Sequence, residues 1–329
     1  MAHLTGIDGT KGPHRWVVLS GVWLIYFSFG LTVAALGPLV TPITQDLKMT
    51  FGEMGTVLGA WPLIYILAAL PCGFLIDRIG PRKGLLIAAV IMGLSGLLRS
   101  AADTHLTLFL AVAIFGLGGP LISVGAPKVI ALLFQGKNRG LAMGIYITGP
   151  GLGGVVAISI SNSVLLPFFD DNWRLVTCGY GIFTLLSGIM WLLLSHNKAG
   201  KFIKTAVSND TNDPIVQTFK RLAAIPSVQL VLVLSVGIFF INHGLNNWLP
   251  EIIRAHGMSA SSAGYWASIP TAASVLSALI IPRYAIPEKR ILILGLLILS
   301  SCIATLLLQV TPGPLMLLGL ILQGIARGA

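Results

Sequence analysis

Gly73-Phe74-Leu75-Ile76-Asp77-Arg78-Ile79-Gly80-Pro81-Arg82-Lys83 is a charged turn set between two long apolar runs. Residues 54–76 before it carry no charged side chain, and residues 84–100 after it carry only Arg99. Crossing a bilayer as a helix takes about 20 apolar residues, so this turn reads as the link between two membrane spans.

The pattern repeats in both directions. Apolar runs occupy residues 16–40, 54–76, 84–100, 106–134, 139–168, 174–195, 226–248, 262–282 and 289–310, and a tenth begins at Pro314 and is still running at Ala329. The runs are continuous rather than alternating, which predicts helices and not barrel strands. The first run follows a polar start and is too long for a cleaved signal peptide, so it reads as the first span.

Composition agrees: 55% of the 329 residues are hydrophobic, 10% are charged and mean hydropathy is +0.88. A soluble chain carries roughly 25% charged residues. The net charge of +10 is scattered in short bursts between the runs, with no basic stripe interleaved with aromatics, so no nucleic-acid partner is expected. Cys72, Cys178 and Cys302 all lie inside apolar runs, which argues against a disulfide framework or a metal site.

Lys and Arg fix the expected orientation. Of the 21, Lys48, Arg99, Arg174 and Arg254 fall on one side, Lys128 and Arg327 fall within spans, and the remaining fifteen fall in the N-terminal tail and the even-numbered loops. By the positive-inside rule the N-terminus is cytoplasmic. The polar stretch 196–225 is then cytoplasmic too, and from Pro214 onward Ile215, Phe219 and Leu222 oppose Gln217, Lys220 and Arg221, as in a helix lying on the membrane surface. The Asn209-Asp210-Thr211 sequon lies in this segment, so glycosylation is not expected.

A faint internal repeat is present. Met49, Gly55 and Pro62 in span 2 correspond to Met258, Gly264 and Pro270 in span 8, and Phe115-Gly116 in span 4 to Gln323-Gly324 in span 10. Parallel repeats of this kind place a binding site at their interface near mid-membrane.

The Gly73–Lys83 turn resembles the signature of the major facilitator superfamily, G-x-x-x-D-R-x-G-x-R-K, at every fixed position: Gly73, Asp77, Arg78, Gly80, Arg82 and Lys83. The resemblance implies an all-α membrane protein with two six-helix bundles, the second truncated in helix 10. Its divisions would be an N-terminal bundle over 1–195, a cytoplasmic linker over 196–225, and a partial C-terminal bundle, helices 7–10, over 226–329. It implies a multi-pass protein of the plasma membrane (the inner membrane in a bacterium), monomeric, acting by secondary active transport of a small solute through alternating access. In the family the aspartate faces the N-terminal end of an eleventh helix and helps close the cytoplasmic side. The turn in the second half is degenerate, with Pro282 before Arg283 where an aspartate would be expected. Twelve spans would need about 70–90 further residues; a non-transporting remnant or membrane sensor is the alternative reading.

Gly149-Pro150-Gly151-Leu152-Gly153-Gly154 resembles the superfamily's antiporter motif, whose core is G-P-x-x-G-G, and Gly136 fits the upstream spacing while Ile145 departs from it. Proline removes a helix hydrogen bond and glycines admit a neighbouring helix, so Gly149, Pro150, Gly153 and Gly154 form a candidate hinge and packing seam. The same residues satisfy G-x-G-x-x-G, but no strand precedes them, which rules out a dinucleotide loop. Trp248-Leu249-Pro250, Gly257-Met258-Ser259 and Ala263-Gly264 look like the cyanate permease and 2-nitroimidazole transporter branch, to which Arg99 at the end of helix 3 also fits. Val112 stands where the superfamily often places an arginine, which puts proton coupling of that type in doubt.

An ionisable side chain deep in a span costs at least about 2.5–3.5 kcal/mol, so such groups usually face a cavity. Aligning Gly324 with Gly116 places Arg327 opposite Gly119, roughly 22 Å from the cytoplasmic end at 1.5 Å per residue, too deep to reach water. Arg327 is therefore the leading substrate-contacting cation, against a structural pairing with another polar side chain. Lys128 is a second candidate whose stem could instead reach the headgroups. Asn242 with Asn246 and His243 with Asn247 form a polar stripe at i, i+4 on helix 7, and His243, the only deep histidine, is the titratable candidate for proton coupling. Tyr26, Trp61, Tyr65, Tyr146 and Trp266 could form an aromatic wall. Arg174, beside Trp173, reads as an interface anchor. No Asp or Glu is deep, so the site fits a small anion or polar organic compound better than a cation.

No G-x-x-x-x-G-K-[ST], H-E-x-x-H or G-x-S-x-G pattern occurs, which excludes ATP-driven transport by that loop and gives no catalytic constellation. Neither a cofactor nor an enzymatic activity is expected, and membrane lipid and a small-molecule substrate are the expected partners.

Overall fold

A computed structural model describes residues 12–205, 221, 223–281, 284 and 287–328. The surface-helix expectation from Pro214 to Leu222 lies outside the described residues except at Arg221, as do the degenerate turn at Pro282-Arg283 and most of the 196–225 segment.

Ten long helices follow the ten apolar runs: α1 His14–Ala34, α2 Phe51–Ile79, α3 Pro81–Ser100, α4 His105–Leu133, α5 Gly136–Ile160, α6 Trp173–Leu194, α7 Pro226–Ala255, α8 Ala260–Ile280, α9 Arg290–Leu307 and α10 Pro314–Gly328. Among the described residues seven are long and apolar enough to cross a membrane, and α9 and α10 are shorter apolar helices. No strand occurs among the described residues.

Local chemistry sets the helix ends. Thr50 and Glu53 close a capping box at the start of α2, and Thr104 and Thr107 close one at α4. Asn172 and Ser259 accept backbone N–H groups at the starts of α6 and α8. Pro81 and Pro226 open α3 and α7, where a missing N–H costs nothing. Gly80, at φ 82°, makes the turn between α2 and α3.

Several boundaries differ from the sequence expectation. The first run breaks at Ala34, and a separate short helix, Val40–Asp46, forms before α2. The α5 run passes through a π-helical turn, Ser161–Leu165, before ending at Phe168. The seventh continues to Ala255, well beyond Trp248, with Pro250 inside it.

Two closely similar contacts show the internal repeat in three dimensions. A Cβ on Gly116 of α4 would lie 2.5 Å from the carbonyl oxygen of Trp61, just before Pro62 of α2. A Cβ on Gly324 of α10 would lie 2.3 Å from the carbonyl oxygen of Pro270 of α8. The same helix pair thus crosses at the same glycine in both halves, where no larger residue fits.

Candidate functional site

The end of the fold that carries the Gly80 turn is termed the motif face, and the opposite end the far face. Arg327 of α10 donates from Nη1 to Oδ1 of Asn246 in α7 at 2.6 Å. Its Nη2 donates to Oγ1 of Thr271 at 2.7 Å and to Oγ of Ser274 at 3.4 Å, both in α8. These partners are neutral, and no carboxylate pairs with Arg327 among the described residues. A guanidinium has five N–H groups, and three such bonds leave it able to receive an anion.

The internal repeat explains why the arginine fits. Gly119 is the α4 counterpart of Arg327, and a Cβ there would lie 2.5 Å from the ring of Tyr65. Tyr65 corresponds to Ala273 on α8. One half fills the crossing with an aromatic ring from α2, and the other fills it with a guanidinium from α10.

Four of the five aromatic candidates, Tyr26, Trp61, Tyr65 and Tyr146, are joined through ring contacts. Trp61 meets the ring of His243 at a centroid distance of 5.2 Å, joining α2 to α7. Tyr65 and Phe115 lie edge-on to Trp61 at 6.1 and 5.9 Å. Phe29 stacks on Phe115 at 5.4 Å and approaches Tyr26 at 5.9 Å, and Tyr26 meets Tyr146 of α5 at 5.4 Å. Trp266 lies apart from this cluster in the ring contacts and packs against the hydrophobic core. His243 lies one turn before Asn246, the α7 partner of Arg327. Asn247 is buried, and its carbonyl lies against Gly37 at the end of α1. The side chain of Asn242 lies outside the described residues.

The α5 seam runs between α1 and α8. A Cβ on Gly153 would meet the carbonyl oxygen of Phe27 at 2.1 Å, and one on Gly149 the backbone of Trp23 and Phe27 at 3.1 Å. Pro150 presses on Gly30 of α1. On the other flank, Thr271 lies in ordinary contact range of Gly154, its Cγ2 3.4 Å from a built Cβ.

Lys128 is not part of this set. Its Nζ donates to Oδ1 of Asp77 at 2.6 Å, near the motif face. A carboxylate beside guanidinium groups is thus replaced by a carboxylate beside an ammonium: Arg82 turns away, its Nε donating to Oγ of Ser195 at 2.9 Å while its carbonyl accepts from Trp191. Arg78 and Lys83 are exposed, and Gly73 has no neighbour crowding it.

At the far face the halves are stitched together. Thr41 donates to Glu251 at 2.8 Å, Ser261 donates to the carbonyl of Asn162 at 3.3 Å, and Phe51 meets Trp248 edge-on at 5.9 Å. A cavity of 670 Å³ opens here, lined by Thr41, Asp46, Asn162, Arg174 and Arg254, apart from Arg327. Arg174 departs from its expected role as a membrane-interface anchor. It pairs with Asp46 and Asp103 and donates to the carbonyl of Ala102, while Trp173 is buried and donates to Asp46. These hydrogen bonds hold Asp46 below the usual carboxylate range, Trp173 contributing most.

A family model described as the Major Facilitator Superfamily matches residues 22–329. The chain belongs to this superfamily. Among curated relatives of this major facilitator protein, the probable L-galactonate transporter of Escherichia coli is 26% identical over 69% of this chain and 52% of its own. The 4-hydroxybenzoate transporter PcaK of Pseudomonas aeruginosa is 25% identical over 81% of this chain and 65% of its own. The chain thus spans about half to two thirds of the length of the curated relatives it matches. A crystal structure of a bacterial homologue of the human lysosomal transporter Spinster, inward-facing and occupied, superposes with a TM-score of 0.70 at 20% identity, covering 97% of this chain and 74% of that one. The structural likeness shows the fold.

Sequence reasoning missed four of the contributors to this major facilitator site. Thr271 and Ser274 follow the repeat proline, Pro270, and are spaced i, i+3 on α8, a spacing visible in the sequence. Phe29 and Phe115 were indistinguishable from core residues, since only contact separates a wall from a core.

Proposed function

We propose that this chain belongs to a secondary transporter that moves a small organic anion through the membrane by alternating access, with Arg327 receiving the substrate's carboxylate. The observation that carries it is the half-buried guanidinium of Arg327, held by Asn246, Thr271 and Ser274 without a carboxylate partner among the described residues. A partly desolvated cation lacking an internal counter-ion favours an anionic ligand, and guanidinium binds carboxylate with charge-assisted hydrogen bonds. The relatives named for L-galactonate and 4-hydroxybenzoate both take carboxylates, which supports the same class. The resemblance of the α7 exit, Trp248-Leu249-Pro250, to the cyanate permease branch also favours a small anion.

In this reading the motif face and N-terminus are cytoplasmic, the protein is a monomer in the plasma membrane, and the residues 1–195 and 226–329 move as units around the linker at 196–225. The far-face stitches correspond to a state closed to the outside. His243, beside Trp61 and one turn before the Asn246 that Arg327 binds, is the group through which protons would couple. Uptake of a panel of radiolabelled carboxylates into proteoliposomes by the full-length protein tests the proposal. At least one should be taken up, and Arg327→Gln should abolish its saturable uptake; unchanged uptake by that variant overturns the reading.

A further inference from the structure

Arg99 lies in the last turn of α3, at the far face, where a long side chain could reach headgroups or water. It turns inward instead and is 2% exposed. Its Nη1 donates to the carbonyl oxygen of Thr32 in α1 at 3.0 Å, and its Nε has no hydrogen-bond partner. No carboxylate pairs with it among the described residues. A guanidinium stays protonated, so this is a buried and unneutralised positive charge. Such a charge costs several kcal/mol to bury, and packing alone would be served more cheaply by an apolar residue.

The direction of the side chain matters. Its Cζ sits 5.3 Å from the centroid of Phe115. Phe115 stacks on Phe29 and meets Trp61, and Trp61 meets His243, one turn before the Asn246 that Arg327 binds. Arg99 and Arg327, one from each half and neither paired with a carboxylate among the described residues, therefore lie on either side of a single aromatic cluster. Each charge acts on the rings between them over this distance.

We infer that Arg99 is a second cation of the substrate site, acting through Phe115 without touching the ligand, and that it selects monoanions over neutral molecules of the same shape. This rests on the reading of Arg327 as the carboxylate receptor. Arg99 is a positioning residue, and its contribution is the potential it imposes on the cleft.

The test measures that potential directly. In a background with Cys72, Cys178 and Cys302 replaced by Ser, Tyr65→Cys provides a reporter thiol beside the cluster. Its reaction rates with an anionic sulfonatoethyl and a cationic trimethylammonioethyl methanethiosulfonate give a ratio. Arg99→Gln should lower the anion-to-cation ratio by about tenfold, given a unit charge acting over this range in a medium of intermediate dielectric, while Arg99→Lys should retain most of it. A ratio unmoved by Arg99→Gln, or equally lowered by Lys and Gln, overturns the inference. Should Arg99→Gln fail to fold, the native Arg99 is tested in an Arg327→Gln background. There the ratio must stay above that of a free small thiol, and a ratio at the free-thiol level overturns the inference. Neither measurement involves transport, so its failure is distinct from a failure of the carboxylate reading.

Discussion

Thr41 donates a 2.8 Å hydrogen bond to Glu251, and this bond joins the short helix after α1 to the far end of α7. The second oxygen of Glu251 accepts from Arg254 of its own helix at 2.9 Å. The carboxylate is only 14% exposed, so its bonds compete weakly with water. A hydrogen bond to a charged group contributes about 1.5–3 kcal/mol, enough to bias a two-state equilibrium by tenfold or more.

Removing the Thr41 hydroxyl should therefore loosen the far face. Thr41→Val is expected to raise the population open at that face by about tenfold, read as faster labelling of Gln45→Cys, in the adjoining cavity, by a membrane-impermeant thiol reagent. Labelling at the unaltered rate would show that the bond carries no gating energy.

The Asp77–Lys128 pair offers the contrast. Its side chains are 61% and 42% exposed, and an exposed ion pair contributes about 0–1 kcal/mol. Lys128→Gln should leave thermal stability in detergent almost unchanged. A large fall in melting temperature would mean that the pair is a structural tie rather than a contact free to exchange.

The sequence disclosed the fold because its signals are long and redundant. Ten apolar runs, the charge asymmetry and the Asp77 turn all point to one architecture. It singled out Arg327 because a charge deep in a span has few explanations, a substrate contact or a polar pairing; the structure shows the pairing, with Asn246, Thr271 and Ser274. It did not disclose that Arg99 turns inward, since a helix-end arginine reads equally well as an anchor. Nor did it separate Lys128 from the site: its depth was legible, while its partner on α2 depended on the α2–α4 crossing. Glu251 was passed over for a related reason, because α7 runs to Ala255 and carries this helix-end carboxylate into the seam between the halves.

The matched crossings yield a paired test. Gly116→Ala and Gly324→Ala each place a methyl against a carbonyl oxygen on the crossing helix, at built distances of 2.5 and 2.3 Å. Overpacking of this kind costs about 1–3 kcal/mol. Both variants should melt lower than the wild type by similar amounts, measured by fluorescence-detected unfolding. A fall for one and none for the other would mean that the two crossings are not equivalent.

The acid dependence of the far-face tie follows from Asp46. Trp173 and Arg174 hold its carboxyl below the usual range, which means the folded state binds the proton less readily than the unfolded chain. The stability this contributes is complete above the unfolded carboxylate value and is lost as pH falls through the lowered folded value. Asp46→Asn should therefore destabilise the protein near neutral pH, and the gap from wild type should close in strong acid as Asp46 itself becomes protonated. The pair of melting curves, taken across that range, decides it. A gap that is constant with pH would place the effect in packing at Trp173 and not in the charge.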